Sequence, residues 1–135
     1  MPATLKHLLL SVMASTLAAP AAAVGLGPLV KDGLTAGPAK AFYLTVINNG
    51  SNADVYRATA IGLSDELPQP RVQIFPSTVL IGGNTTRRIL VIAKALEPGE
   101  TYAFRVCADG KPKLGETIHA RVCSKLSARR IADHD

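Results

Sequence analysis

From residue 40 onward the chain alternates apolar and polar positions with a period of two, cut at short intervals by Gly, Pro and Asn. That period sends successive side chains to opposite faces of an extended strand, so one face packs while the other meets water. Lys40–Asn48, KAFYLTVIN, puts Phe42, Leu44 and Val46 on one face. Residues 54–63 form a second run, with Val55 and Ile61 as its expected anchors. Residues 71–80 carry Pro76, which cannot donate to a ladder and splits the run into two edge pieces. Residues 85–93, TTRRILVIA, are a strong strand. In residues 101–108, TYAFRVCA, the side chains of Tyr102, Phe104, Val106 and Ala108 share one face, and Arg105 and Cys107 share the other. Residues 117–126, TIHARVCSKL, group Ile118, Ala120 and Val122 in the same way. Residues 24–31 hold Gly and Pro and read as a short edge strand, and residues 127–135 read as a polar, frayed tail. No helical period follows residue 23. About seven short strands with turns at nearly regular spacing predict an all-β, immunoglobulin-like Greek-key sandwich over residues 24–126.

The first 23 residues obey a different rule. Lys6 and His7 precede an apolar stretch from Leu8 to Ala19, and Ala21, Ala22 and Ala23 follow the helix breaker Pro20. Basic start, apolar middle and small-residue end predict a secretory signal peptide cleaved after Ala23. The apolar stretch is shorter than the roughly 20 residues that a membrane span needs. The expected product is a protein soluble after cleavage, in the periplasm or secreted.

Export changes the reading of the two cysteines, Cys107 and Cys123. An even count in a small exported domain predicts a disulfide. The spacing does not match the paired CxxC of zinc sites, and His119 is the one histidine nearby. If residues 101–108 and 117–126 form a hairpin, both thiols fall on the same side of it. A cross-strand bridge is then possible, closing a loop for which chain entropy gives ~3 kcal/mol.

Several stretches resemble the N-terminal domain of the periplasmic pilus-assembly chaperones that work with outer-membrane ushers. LTVINNGSNADVYRATA, starting at Leu44, resembles that family's strand, Asn-rich turn and next strand. IFPSTVLIGGNTTRRILVIA from Ile74 and ALEPGETYAFRV from Ala95 resemble its following segments. The last of these also suits a fibronectin type III domain, a structural or adhesive surface module of the same architecture. Family members have two sandwiches, and 135 residues hold one. The resemblance implies an exported protein partner, a pilin-like subunit or an usher. It also implies a basic pair, one residue on the first strand and one on the last, that anchors a client carboxylate. Lys31 and Lys125 are the candidates, with Lys31 one place later than the family pattern. A disulfide between the last two strands marks one subgroup of these chaperones.

Little else in the chain suggests chemistry. His119 is a lone histidine on a strand, no Ser or Cys sits in a nucleophile elbow, and Gly82-Gly83-Asn84 lacks the Lys and helix of a phosphate loop. The expectation is no enzyme, no cofactor, no metal and no small-molecule substrate. The net charge is +5, but Arg87, Arg88, Arg129 and Arg130 stand among few aromatics, and no nucleic-acid motif accompanies them. The sequence therefore favours protein binding. The last strand, residues 117–126, is expected to offer an edge with Ile118, Ala120 and Val122 as its apolar row and Lys125 and Lys31 as charge contacts. The competing expectation is that this row simply faces the domain's own core.

Overall fold

The computed structural model describes residues 24–111 and 119–133. The expected signal peptide, residues 1–23, and Ile118 lie outside the described residues. Nine strands follow in order: β1 Val24–Gly27, β2 Val30–Thr35, β3 Lys40–Asn48, β4 Asp54–Gly62, β5 Val72–Phe75, β6 Thr78–Ile81, β7 Thr86–Ala93, β8 Thr101–Gly110 and β9 Arg121–Arg130. They form two sheets, β1-β3-β7-β5 and β2-β9-β8-β4-β6. Every named pair is antiparallel except β2 with β9. The fold is an all-β, immunoglobulin-like sandwich, as the alternation predicts.

Seven expected runs become nine strands because two of them divide at a proline. Pro28 has no N–H, and there the chain leaves β1 in one sheet for β2 in the other. Pro76 does the same between β5 and β6. The last strand lies further along than its pattern indicates. It starts at Arg121 rather than at 117 and continues to Arg130, so residues 127–130, expected as tail, are strand. Register explains this: Ala128 pairs with Tyr102 on β8 and Gly33 on β2, and is fully buried between the sheets.

The core is aliphatic with few rings. Phe42, Leu44 and Val46 of β3 and Ile89, Val91 and Ala93 of β7 face Phe104, Val106 and Ala108 of β8 and Leu126 and Ala128 of β9. On β4 the inward residues are Tyr56 and Ala58. Val55, expected as an anchor, is exposed because its parity is that of the outer face. Ile61 has that outer parity too, yet it is buried, with Pro68 bridging to it from the loop after β4.

One buried polar side chain joins the two turns at one end of the sandwich. Asn48 Nδ2 donates to the carbonyls of Asn52 (2.9 Å), Ile81 (3.0 Å) and Gly82 (3.2 Å), and its Oδ1 accepts from Gly50 N–H (2.8 Å). Gly83 packs so closely on the Ser51 carbonyl that any Cβ there would collide with it.

At another point the Arg71 guanidinium grips Glu100 with two hydrogen bonds, 2.8 and 3.0 Å, while also donating to the Lys94 and Ala95 carbonyls. It lies 4.2 Å over the Tyr102 ring. The Arg71 hydrogen bonds, with help from the Glu97 N–H, hold the Glu100 carboxyl down at about 2. A depressed carboxyl stabilises the fold above its unfolded value and loses that contribution as pH falls through the folded one. Tm is therefore expected to drop between about pH 4.5 and pH 2, and Glu100→Gln should flatten the drop. Calorimetric scans across that window check it; an unchanged slope would count against the pair.

Candidate partner-binding edge

β9 lies inside its sheet, between β8 and β2, but β2 covers only part of it. The parallel ladder starts at Val30 beside Lys125 and ends at Thr35 beside Arg130. Before it, Leu29 O accepts from Lys125 N–H (2.8 Å), and Ser124 Oγ donates to Pro28 O (2.7 Å). Ser124 is fully buried, so this bond fixes where the chain crosses between sheets and hence where the cover stops. Residues 121–124 have β8 on one side and no described strand on the other.

Alternation decides which backbone groups are open. Lys125 N–H points towards β2, so the N–H and C=O of Cys123 and Arg121 point the same way, while those of Val122 and Ser124 point to β8. Two donors and two acceptors therefore line an edge with no strand partner among the described residues. Cys107 and Cys123 face each other in register and form the expected disulfide. Their pair is one that exchanges no backbone hydrogen bonds, so the covalent link joins β8 to β9 where the ladder does not.

The residues expected at the site separate. Val122 is half-buried and packs against the core, and Ala120 is exposed just ahead of the strand. The expected row of three is thus a core contact at Val122 and an exposed residue at Ala120, with Ile118 outside the described residues. Lys31 and Lys125 do not converge. Lys31 lies opposite the inward Leu126, and its Nζ is 3.5 Å from Tyr43 O on the other sheet; Lys125 lies opposite Val30 and points outward. One residue of offset in register puts the two cations on opposite faces.

The outer face beside the open edge is occupied by charge. Arg121 holds Glu66 in a two-pronged pair (2.8 and 2.9 Å), and Arg105 reaches the same carboxylate at 3.5 Å. The Arg121 hydrogen bonds push the Glu66 carboxyl below its ordinary range. Asp109 takes His119 at 3.1 Å and Arg57 at 3.8 Å. Sequence reading passed over Arg121, Glu66 and Ser124. Arg105 and Arg121 carried a signal, since each shares a face with a cysteine of the bridge; Glu66 comes from a loop whose path no periodicity reveals. No group of three or more metal-binding side chains occurs among the described residues.

No family model matches the chain, and no curated protein matches it in sequence. Solved structures do match in fold. The SafB chaperone structure from Salmonella enterica, solved in complex with the SafA pilin, superposes with a TM-score of 0.67 at 18% identity, over 87% of this chain and 59% of that one. The E. coli chaperone DraB gives 0.66 at 19% identity, over 84% and 58%. A PapD-like domain of human CEP192 gives 0.62 at 13% identity, over 84% of this chain and 88% of the domain. The chain thus spans a little under three fifths of the length of the chaperones it superposes on. The two sheets and these superpositions together establish that this chain has the immunoglobulin-like sandwich fold found in one domain of the pilus chaperones.

Proposed function

We propose that this chain is an exported, chaperone-like binding module that takes up an extended segment of another exported protein, a pilin-like subunit, by adding it as a strand along the open part of β9. The observation that carries this reading is the late start of β2 along β9. It leaves the N–H and C=O of Arg121 and Cys123 without a strand partner among the described residues, while the rest of β9 is bonded on both sides. Unpaired edge groups accept an added strand, and main-chain bonds supply affinity independent of the partner's sequence. The disulfide keeps this edge ordered before binding, so less entropy is lost when the partner docks. The pilus-chaperone fold and the solved complex of SafB with a pilin support the choice of partner class. Signal cleavage after Ala23 and a periplasmic location belong to the same reading.

Arg121→Pro is the discriminating substitution. It deletes one donor from the open edge and no bond to β8, because the Arg121 N–H points away from that strand; Arg121→Ala, which loses the same Glu66-paired side chain but keeps the N–H, is the reference against which it is read. Capture from periplasm followed by mass spectrometry identifies the partner, and calorimetry on the purified pair measures it. The Pro variant is expected to bind about tenfold more weakly than the Ala variant, since one main-chain hydrogen bond and its geometry are lost, with circular dichroism unchanged. Undiminished binding by a folded variant would rule out strand addition at this edge.

A further inference from the structure

The open edge also carries information about the sequence it accepts. The outward row of β9 runs Arg121, Cys123, Lys125, Ser127, Arg129, and holds three cations and no carboxylate. Arg105 of β8 stands directly beside Lys125 on the same face. Four carboxylates bear on this face. Glu66 binds Arg121 and Arg105, and reaches them from the loop after β4, away from the open edge. Asp109, opposite Arg121, is occupied by Arg57 and His119. Asp32 of β2 lies beside Ser127. Asp65 directs its backbone carbonyl at Arg105 and its carboxylate at the Leu67 N–H. Lys125 has no ion pair among the described residues. At the open end, Arg105 and Arg121 thus share Glu66, Asp109 opposite Arg121 is already engaged by Arg57 and His119, and Lys125 pairs with no carboxylate among the described residues.

Resting on the strand-addition reading above, we infer that the partner segment carries acidic residues at its outward positions and an apolar residue between them. An added strand in line with β2 places one outward residue beside Cys123 and the next beside Arg121. The first of these sits diagonally between Arg121 and Lys125, over a disulfide that bears no charge. Cross-strand and diagonal neighbours are close enough for opposite charges to attract and like charges to repel. The residue between the two points inward beside Val122, whose side chain already packs on the core, so an apolar group extends that contact. The same row disfavours Lys and Arg at the outward positions, which gives the edge a means of rejecting wrong segments.

Three synthetic eight-residue peptides test the inference, each alternating Val with Glu, Ser or Lys. They are titrated into the isotopically labelled oxidised protein, with amide shifts and exchange of Arg121 and Cys123 followed by NMR. The Glu peptide is expected to protect those amides and to bind about tenfold tighter than the Lys peptide at low salt, with the gap closing near 0.5 M salt. Arg121→Glu combined with Lys125→Glu should reverse the order of the Glu and Lys peptides. Equal affinity for all three, with the amides protected, overturns the acidic pattern and leaves strand addition standing. Protection of neither amide by any peptide overturns both. Binding that maps to β5 or another edge likewise overturns both.

Discussion

Replacing Cys107 and Cys123 together by Ser is expected to lower the unfolding free energy by ~3 kcal/mol, as the chain-entropy model gives for a loop of about this length. The cysteines are 16 residues apart. The effect on the open edge should be larger than the global figure suggests. Cys107 and Cys123 face each other at a site where β8 and β9 exchange no backbone bonds, and β2 gives no support there. Without the bridge, residues 121–124 are held by the bonds of Val122 and Ser124 to β8, the Ser124–Pro28 contact, the Arg121–Glu66 pair and the packing of Val122 on the core. Urea denaturation measures the global loss, and native-state hydrogen exchange at Val122 and Ser124 reads the local one. A loss below ~1 kcal/mol would show that the reduced chain retains the loop in its unfolded state. Unchanged local exchange would show that the bridge does not stiffen this edge.

The second large effect lies at the far end of β3. Asn48→Ala is expected to cost ~3 kcal/mol, because it removes a fully satisfied buried amide and strands its partners. Two Nδ2 hydrogens serve three carbonyls, so one hydrogen is shared, and the Oδ1 fixes Gly50 N–H. Asn48 is 1% exposed, and its bond to the Ile81 carbonyl is buried while those to the Asn52 and Gly82 carbonyls are part-buried. Leaving such groups unpaired costs ~1–3 kcal/mol each where they stay buried. Asn48→Asp should be worse, since it turns a donor into a negative acceptor facing three carbonyl oxygens. Denaturation curves with fitted slopes test both variants. An Ala protein as stable as the parent would mean that the Nδ2 donors contribute little, and equal stability of the Ala and Asp proteins would mean that the carbonyls do not repel the added charge.

These two sites differ in how far the sequence revealed them. The period-two runs specified most of the sandwich. Phe42, Leu44 and Val46 face inward as expected, as do Phe104, Val106 and Ala108, because parity along a strand is local information. The disulfide was legible for a related reason: two cysteines of matching parity on neighbouring runs must share a face of the hairpin. Pro76 was visible as a break, since a residue without an N–H cannot continue a ladder, whereas residues 24–31 were expected as one edge strand despite Pro28. Which sheet each half joins was not visible, because that depends on strands far away in the chain.

Tertiary structure alone decided the register, and register decided the site. Nothing local to residues 127–130 marks them as strand; they become strand because β2 arrives in parallel beside them. The same ladder separates Lys31 from Lys125 by one position and so by a whole sheet face. Its starting point, fixed by the crossing at Pro28 and the buried Ser124 hydroxyl, leaves Arg121 and Cys123 open. Periodicity told which side of a strand each residue occupies, whereas the availability of an edge depends on what lies beside it, and contacts between residues nearly a hundred positions apart set that.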